Sequence, residues 1–215
     1  MTRFQLHCHN WSNGCGSEYC DGARKVFYRG DVPADIVFCG EAPGKSENSA
    51  GIPFHPGAPA GKLLMHIVKR SVPTTYKVGY TNIVSCIPRD PDSTDKLTEP
   101  SMDQIISCKP RLEEIISIAS PRLIVAVGQV AKASLERGYH ASTKLPPNCL
   151  VAHIPHPAFI IRQTTAFQGL EVQRCCITIK EAIHILENPK VTTPPKATTQ
   201  HSDYGIVSPD DDIPF

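Results

Sequence analysis

The sequence predicts an α/β fold of three layers, α/β/α, around a central four-stranded parallel sheet, and three observations carry that reading. Short apolar runs of strand character alternate with longer stretches whose apolar positions recur at helical spacing. The first apolar run passes directly into a Gly/Pro loop, the place where α/β sheets put ligands. The length, 215 residues of which 40% are hydrophobic and 20% charged, suits one domain with short appendages.

Taken in order, residues 1–30 are rich in Cys, His and Gly and read as an irregular segment waiting to be tied down. Asp35–Cys39 is the first buried strand, running into Gly40-Glu-Ala-Pro-Gly44. Ala60–Arg70 carries Leu63, Leu64, Ile67 and Val68 on one helical face, and Tyr80–Ser85 is a second strand. Ile87–Pro100, dense in Pro and Asp, reads as a loop. Ser101–Ile118 has helical periodicity with Ser101 as N-cap, but Pro110 predicts two helices rather than one. Pro121–Val127 is a strand, Gly128–Arg137 a helix, Leu150–His153 the last strand and Gln168–Leu186 a closing helix. From Asn188 the composition becomes that of a linker.

Twenty prolines and fourteen glycines imply long ordered loops rather than a disordered chain. A net charge of +1 excludes a strongly basic DNA-coating protein. Lys190 and Lys196 stand against Asp203, Asp210, Asp211 and Asp212, which leaves a modest cationic excess in the core that permits nucleic-acid binding. No apolar run approaches the roughly 18 residues of a membrane helix, and the N-terminus lacks a signal pattern, so a soluble intracellular protein is expected. Nine cysteines in such a chain point to thiols or metal ligation rather than a disulfide framework.

Four loops at or near the carboxyl ends of the expected strands hold the chemistry: 40–47, Gly51-Ile-Pro-Phe54, Thr81-Asn-Ile-Val-Ser-Cys86 and His153-Ile-Pro-His-Pro-Ala158. Gly-Lys-Ser in the first suggests a phosphate loop, but Gly40 and Gly44 are one residue too close for that motif. Together with Glu47, Ala60-Gly-Lys-Leu-Leu64, Cys108, Pro121 through Gly128 and His156-Pro-Ala-x-x-x-Arg162, these stretches resemble the uracil-DNA glycosylase superfamily. The likeness is to the iron–sulfur, family 4 branch and its phage-type relatives, over about residues 11 to 187.

That resemblance implies removal of uracil from DNA, leaving an abasic site, and it fits the residue types. A base taken out of the stack needs an aromatic face and a group to read its Watson–Crick edge. Phe54 suits the first role and Asn82 the second, with Ala42 a further substrate-binding position. By resemblance His156 donates to uracil O2, while Glu41 and Glu47 are the carboxylates that position water and stabilise the sugar cation. Taken singly, Phe54 reads as core filler, Asn82 as a capping amide and the glutamates as solvated charges; the ordered set is what points to a site. Arg162 is the expected DNA contact, with Lys45, Lys62, Arg89 and Lys96 flanking it and Pro56–Pro59 against the opened duplex.

By the same resemblance Cys86 and Cys108 are cluster ligands, completed from the N-terminal segment by Cys15 and Cys20 in a [4Fe–4S] cluster, with zinc as the alternative. The C-x4-C spacing departs from the family's C-x2-C, which leaves Cys8 and His9 as possible substitutes. Cys39, Cys149, Cys175 and Cys176 read as packed thiols. Other departures are Asn48 after Glu47, a longer segment between Phe54 and Gly61, and an extended loop between Cys86 and Cys108.

The chain ends Ser208-Pro-Asp210-Asp211-Asp212-Ile213-Pro214-Phe215, which resembles the acidic tip of bacterial single-stranded-DNA-binding proteins. That likeness implies capture of proteins with a basic, apolar pocket, or alternatively a gate over the core's own groove. The expected organisation is a cluster-binding segment 1–30, a glycosylase-like domain 31–187, a linker 188–207 and a tail 208–215, in a monomer of the bacterial or phage-infected cytoplasm. Rival readings are an adaptor of weak catalytic power and a glycosylase for another modified base.

Overall fold

The computed structural model describes residues 1–16, 23–90, 93–136 and 143–189. Its order is α1 (Arg3–Asn10), β1 (Tyr28–Gly30), β2 (Ile36–Gly40), α2 (Lys45–Ala50), α3 (Pro59–Ser71), β3 (Val78–Asn82), β4 (Arg89–Asp90), β5 (Ser93–Leu97) and α4 (Met102–Ala119). It continues through β6 (Leu123–Val127), α5 (Gln129–Leu135), β7 (Leu150–Ile154), α6 (Pro157–Ile161) and α7 (Thr165–Glu187).

The four expected strands form a parallel sheet in the order β3-β2-β6-β7, and the three-layer α/β architecture stands. Alternation within each strand assigns its side chains to opposite layers. Ile36 and Phe38 of β2, with Leu123, Val125 and Val127 of β6, pack into a core with residues of α3, α6 and α7. Val37 and Cys39, with Ile124 and Ala126, meet residues of α4 and α5 on the other face. Because both faces are covered, β2 and β6 are buried at every position, which is why they read as continuous apolar runs.

Several elements depart from expectation. The sheet has a fifth strand, β1, which pairs antiparallel with β3 at the edge, so the sheet is mixed. The N-terminal segment is not wholly irregular: α1 starts on a capping box in which the Thr2 hydroxyl accepts from Gln5 N–H and the Gln5 side chain accepts from Thr2 N–H. Pro110 does not divide α4. Pro110 and Ile106 both lie on the exposed face, where water can serve the carbonyl that proline leaves without a donor. A short two-stranded sheet, β4-β5, occupies the segment expected as loop. Among the described residues no helix is long and apolar enough to cross a membrane.

The chain leaves β2 toward β3 on one side and later returns to β6 on the other. The loops after β2 and β6 therefore diverge and open a crevice at the carboxyl edge of the sheet. The candidate site lies there.

Candidate active site

A cleft of about 640 Å³ opens between the loop after β2, the start of α3 and the turn from β7 into α6. Glu41, Ala42, Glu47, Phe54, His156 and Arg162 all line it. Two exposed apolar side chains, Leu97 and Phe159, stand beside it.

Glu47 lies in the first turn of α2 and folds its carboxylate back over the preceding loop. Oε2 accepts from Gly44 N–H at 2.8 Å and Oε1 accepts from Phe54 N–H. Burial raises its pKa, while these backbone donors and the neighbouring Asn82 pull the pKa back by favouring the charged form. The carboxylate therefore acts as a frame for the loop that carries Phe54. Phe54 itself has φ 48°, a left-handed conformation unusual for a residue with a side chain. Its ring centroid lies 6.4 Å from that of His156, with the planes 30° apart.

Asn82, at the end of β3, is 1% exposed. Its Nδ2 is buried and, although outside strict hydrogen-bond geometry, lies near enough to the Glu47 carboxylate to favour the charged form. Gly40 shows how closely the parts converge: a Cβ there would collide with both Asn82 Oδ1 and Phe54 Cζ. The loops after β2 and β3 are further joined by Ile83 N–H to Gly40 O at 2.8 Å and Val84 N–H to Glu41 O at 3.0 Å. Behind them Arg111, also 1% exposed, donates through Nη2 to Asn82 O at 2.6 Å and Ile83 O at 2.9 Å. A buried guanidinium bonded to strand-end carbonyls fixes the backbone from which Asn82 projects.

His156 is the N-cap of α6, and its Nδ1 accepts from Ala158 N–H at 3.2 Å. An Nδ1 that accepts must be unprotonated, so the neutral ring carries its proton on Nε2. Burial first, then the Arg162 charge, lowers its pKa below the free imidazole value, so the neutral form prevails at neutral pH. Gly128, at φ 95°, passes under this ring; a Cβ on it would sit 3.3 Å from His156 Cβ. Glu41 makes no hydrogen bond through its side chain among the described residues. Its pKa is raised by burial and then by Glu99. Arg162, Lys45 and Lys62 are exposed around the cleft.

The structure thus brings Glu41, Ala42, Glu47, Phe54 and His156 to the cleft wall with Arg162 at the rim, while Asn82 is buried beside Phe54 and Gly40 and does not itself line the cleft. Arg89 and Lys96 have side chains outside the described residues, as does the whole of Cys20. The tail Asp210–Phe215 and nearly all of the linker also lie outside them. Arg29 and Arg111 were not anticipated, and Gly128, which closes the stretch Pro121 through Gly128 between a buried strand and a helix, was given no part in the site.

The metal expectation is corrected. Among the described residues no group of three or more His, Cys, Asp or Glu side chains is arranged to hold a metal ion, which argues against both the [4Fe–4S] cluster and zinc. The described thiols instead join protein hydrogen bonds. Cys108 Sγ accepts from Ser85 N–H at 3.3 Å, Cys86 Sγ lies 3.9 Å from Ser85 Oγ, and a side-chain hydrogen bond with Cys15 is the largest cause that brings the Cys108 pKa down to about 4. The N-terminal segment is anchored by other means. Glu114 of α4 accepts from Trp11 Nε1 at 2.6 Å and lies 3.3 Å from Nδ1 of the fully buried His7. Cys8 and His9 lie on α1 and join no metal-binding group among the described residues. Cys39, Cys149, Cys175 and Cys176 are buried thiols, of which Cys39, Cys149 and Cys176 donate to backbone carbonyls.

Residues 27–179 match the family model described as the uracil DNA glycosylase superfamily, and the chain belongs to that superfamily. It is 41% identical over 97 residues to the type-4 uracil-DNA glycosylase of Sulfurisphaera tokodaii, covering 45% of this chain and 40% of that protein. To the type-4 enzyme of Pyrobaculum aerophilum it is 38% identical over 108 residues, 50% of this chain and 51% of that one. To that of Thermotoga maritima it is 30% identical over 145 residues, 64% of this chain and 71% of the other. The chain spans about half or less of the length of the first two relatives.

Proposed function

We propose that this chain excises uracil from DNA by hydrolysing the N-glycosidic bond of an everted nucleotide, leaving an abasic site. The meeting of Phe54 and His156 in one cleft, with the buried Asn82 carboxamide packed beside Phe54 at Gly40, carries the reading. Similarity to type-4 uracil-DNA glycosylases supports the reaction class. In this reading Phe54 covers one face of the base in place of its lost stacking partners. Asn82 accepts from uracil N3–H and donates to O4 through its amide nitrogen, which in the unliganded site faces the Glu47 carboxylate. Ala42 forms part of the apolar wall.

As the C1′–N1 bond breaks, its electron pair passes to the base and negative charge gathers on O2. His156 Nε2–H donates to that oxygen. Glu41 holds the attacking water and takes its proton as the new C1′–O bond forms, while Glu47 keeps the loop in place and adds negative charge near the sugar cation. The uracil anion takes a proton from solvent. Arg162 meets a backbone phosphate at the rim. Leu97 and Phe159 are apolar enough to rest in the gap that the everted base leaves.

The test is single-turnover incubation with single- and double-stranded oligonucleotides carrying one uracil, followed by alkaline cleavage. Cutting that requires uracil supports the enzyme; tight binding without cutting supports the adaptor reading. Cutting at a different modified base, with uracil ignored, would redirect the specificity.

Two further outcomes follow from the geometry. Glu41 must be ionised to accept a proton, and its raised pKa means excision falls as pH drops through a value above that of an ordinary carboxylate. Glu99→Gln removes a like charge, lowers the Glu41 pKa, and is expected to shift this acid limb to lower pH with the plateau rate unchanged. A limb that stays in place rules out Glu41 as the titrating base. Gly40→Ala is expected to cut excision about tenfold or more by forcing Asn82 and Phe54 apart, while overpacking costs roughly 1–3 kcal/mol in thermal melting. Full activity in that variant would show that the two side chains need not converge.

A further inference from the structure

The edge strand β1 is three residues long, and its middle residue, Arg29, reaches across β3 to the loop that carries Phe54. The guanidinium carbon lies 3.9 Å from the centroid of the Tyr80 ring. Nε donates to Pro53 O at 3.1 Å, and Nη2 donates to Phe54 O at 3.4 Å with Met65 Sδ at 3.5 Å. Tyr80 in turn meets the Phe54 ring edge-on at 6.2 Å. On the far side of the same residue, Phe54 N–H donates to Glu47. Phe54 is thus gripped at both its amide and its carbonyl, by groups of opposite charge.

That grip falls where the backbone needs it. At φ 48° Phe54 occupies the left-handed region, which a bulky L-residue leaves readily unless its surroundings hold it there. Return to the ordinary right-handed or extended regions would swing the ring away from His156. Arg29 is half-buried and pairs with no carboxylate among the described residues; carbonyl oxygens, the Tyr80 ring and the Met65 sulfur receive its guanidinium. Burial lowers its pKa, with Tyr80 and Glu47 opposing that shift. A planar donor fork can serve two carbonyls and a ring face together, which an ammonium cannot.

We propose that Arg29 is a positioning residue: through the Pro53 and Phe54 carbonyls and the Tyr80 ring it holds Phe54 in its left-handed conformation, so that the phenyl ring stays opposite His156 and over the bound base. The inference rests on the stacking role proposed above for Phe54. Arg29 touches neither base nor sugar, and acts on the reaction only through Phe54.

The experiment is a double-mutant cycle in single-turnover uracil excision, with Arg29→Met, Arg29→Lys and Phe54→Leu alone and combined, each followed by thermal melting. Arg29→Met is expected to lower the excision rate about tenfold, since small misplacement of a positioning group has effects of this order or larger. Arg29→Lys, which keeps the cation over the ring but not both carbonyl bonds, is expected to fall between wild type and Arg29→Met. In the Phe54→Leu background, both changes are expected to cost less than about twofold, as for residues acting through one shared group. The inference is overturned if the losses add in full, if Arg29→Met excises at the wild-type rate, or if rate loss merely tracks melting temperature across the set. Should Arg29→Met show no melting transition, the Arg29→Lys arm of the cycle decides alone by the same criterion. Phe54→Leu at the wild-type rate would instead sink the stacking role of Phe54, a result distinct from any failure of Arg29.

Discussion

Replacing His156 by asparagine is expected to lower uracil excision by about 10²–10³-fold with little change in stability. The side chain has two separable duties in the structure: Nδ1 caps α6 by accepting from Ala158 N–H, and Nε2 carries the proton available to the cleft. Asparagine is a strong N-cap and keeps the first duty, but it is too short to reach the place where base O2 would lie. His156→Ala loses both, adding a cap loss of roughly 0.5–2 kcal/mol to a similar loss of rate. Single-turnover rates and melting temperatures of the two variants separate the duties. If His156→Asn retains the wild-type rate, the imidazole serves only to hold α6, and O2 stabilisation by this residue is wrong.

Asn82→Ala is expected to reduce kcat/KM for uracil-containing DNA by on the order of 100-fold or more. A base in this cleft would otherwise meet a donor and an acceptor from one buried carboxamide, and alanine leaves N3–H and O4 of the base unpaired away from water. Asn82→Asp is expected to do no better at neutral pH. It cannot donate to O4 while ionised, and it sets a second carboxylate beside Glu47. Competition between uracil- and cytosine-containing oligonucleotides gives the decisive measurement. An Asn82→Ala variant that keeps both its rate and its preference would mean that the Watson–Crick edge is read elsewhere.

The parallel sheet was legible because β2 and β6 are covered on both faces and so carry unbroken apolar runs, while α3 announces itself by spacing. The loops that form the cleft were legible for a related reason: parallel strands place their carboxyl ends on one edge. β1 was not, since three residues make no pattern and its partner β3 lies some fifty positions away in register. The Thr2–Gln5 capping box was present in the sequence and announces α1, but that helix has no strong apolar stripe to accompany it. Pro110 misled because its cost depends on which face it occupies, and that is a tertiary property. Within the site, Phe54, Asn82 and His156 stood in recognisable motifs, whereas Arg29 and Arg111 act on distant backbone carbonyls and leave no local trace. The metal expectation rested on a family resemblance at Cys86 and Cys108 extended to the N-terminal cysteines, whereas Cys15, Cys86 and Cys108 are placed for hydrogen bonding with Ser85 or with one another.

Arg111 and Glu114 are neighbours across one turn of α4. One steadies the strand end that bears Asn82, and the other secures Trp11 and His7 of the N-terminal segment. A shift of α4 along its axis would move both attachments in concert, so the leading residues of the chain act as ballast for the strand end that bears Asn82. Under the role proposed for Asn82, sequence drift in that leading stretch is limited by the accuracy with which a pyrimidine is inspected, as well as by the melting point of the fold.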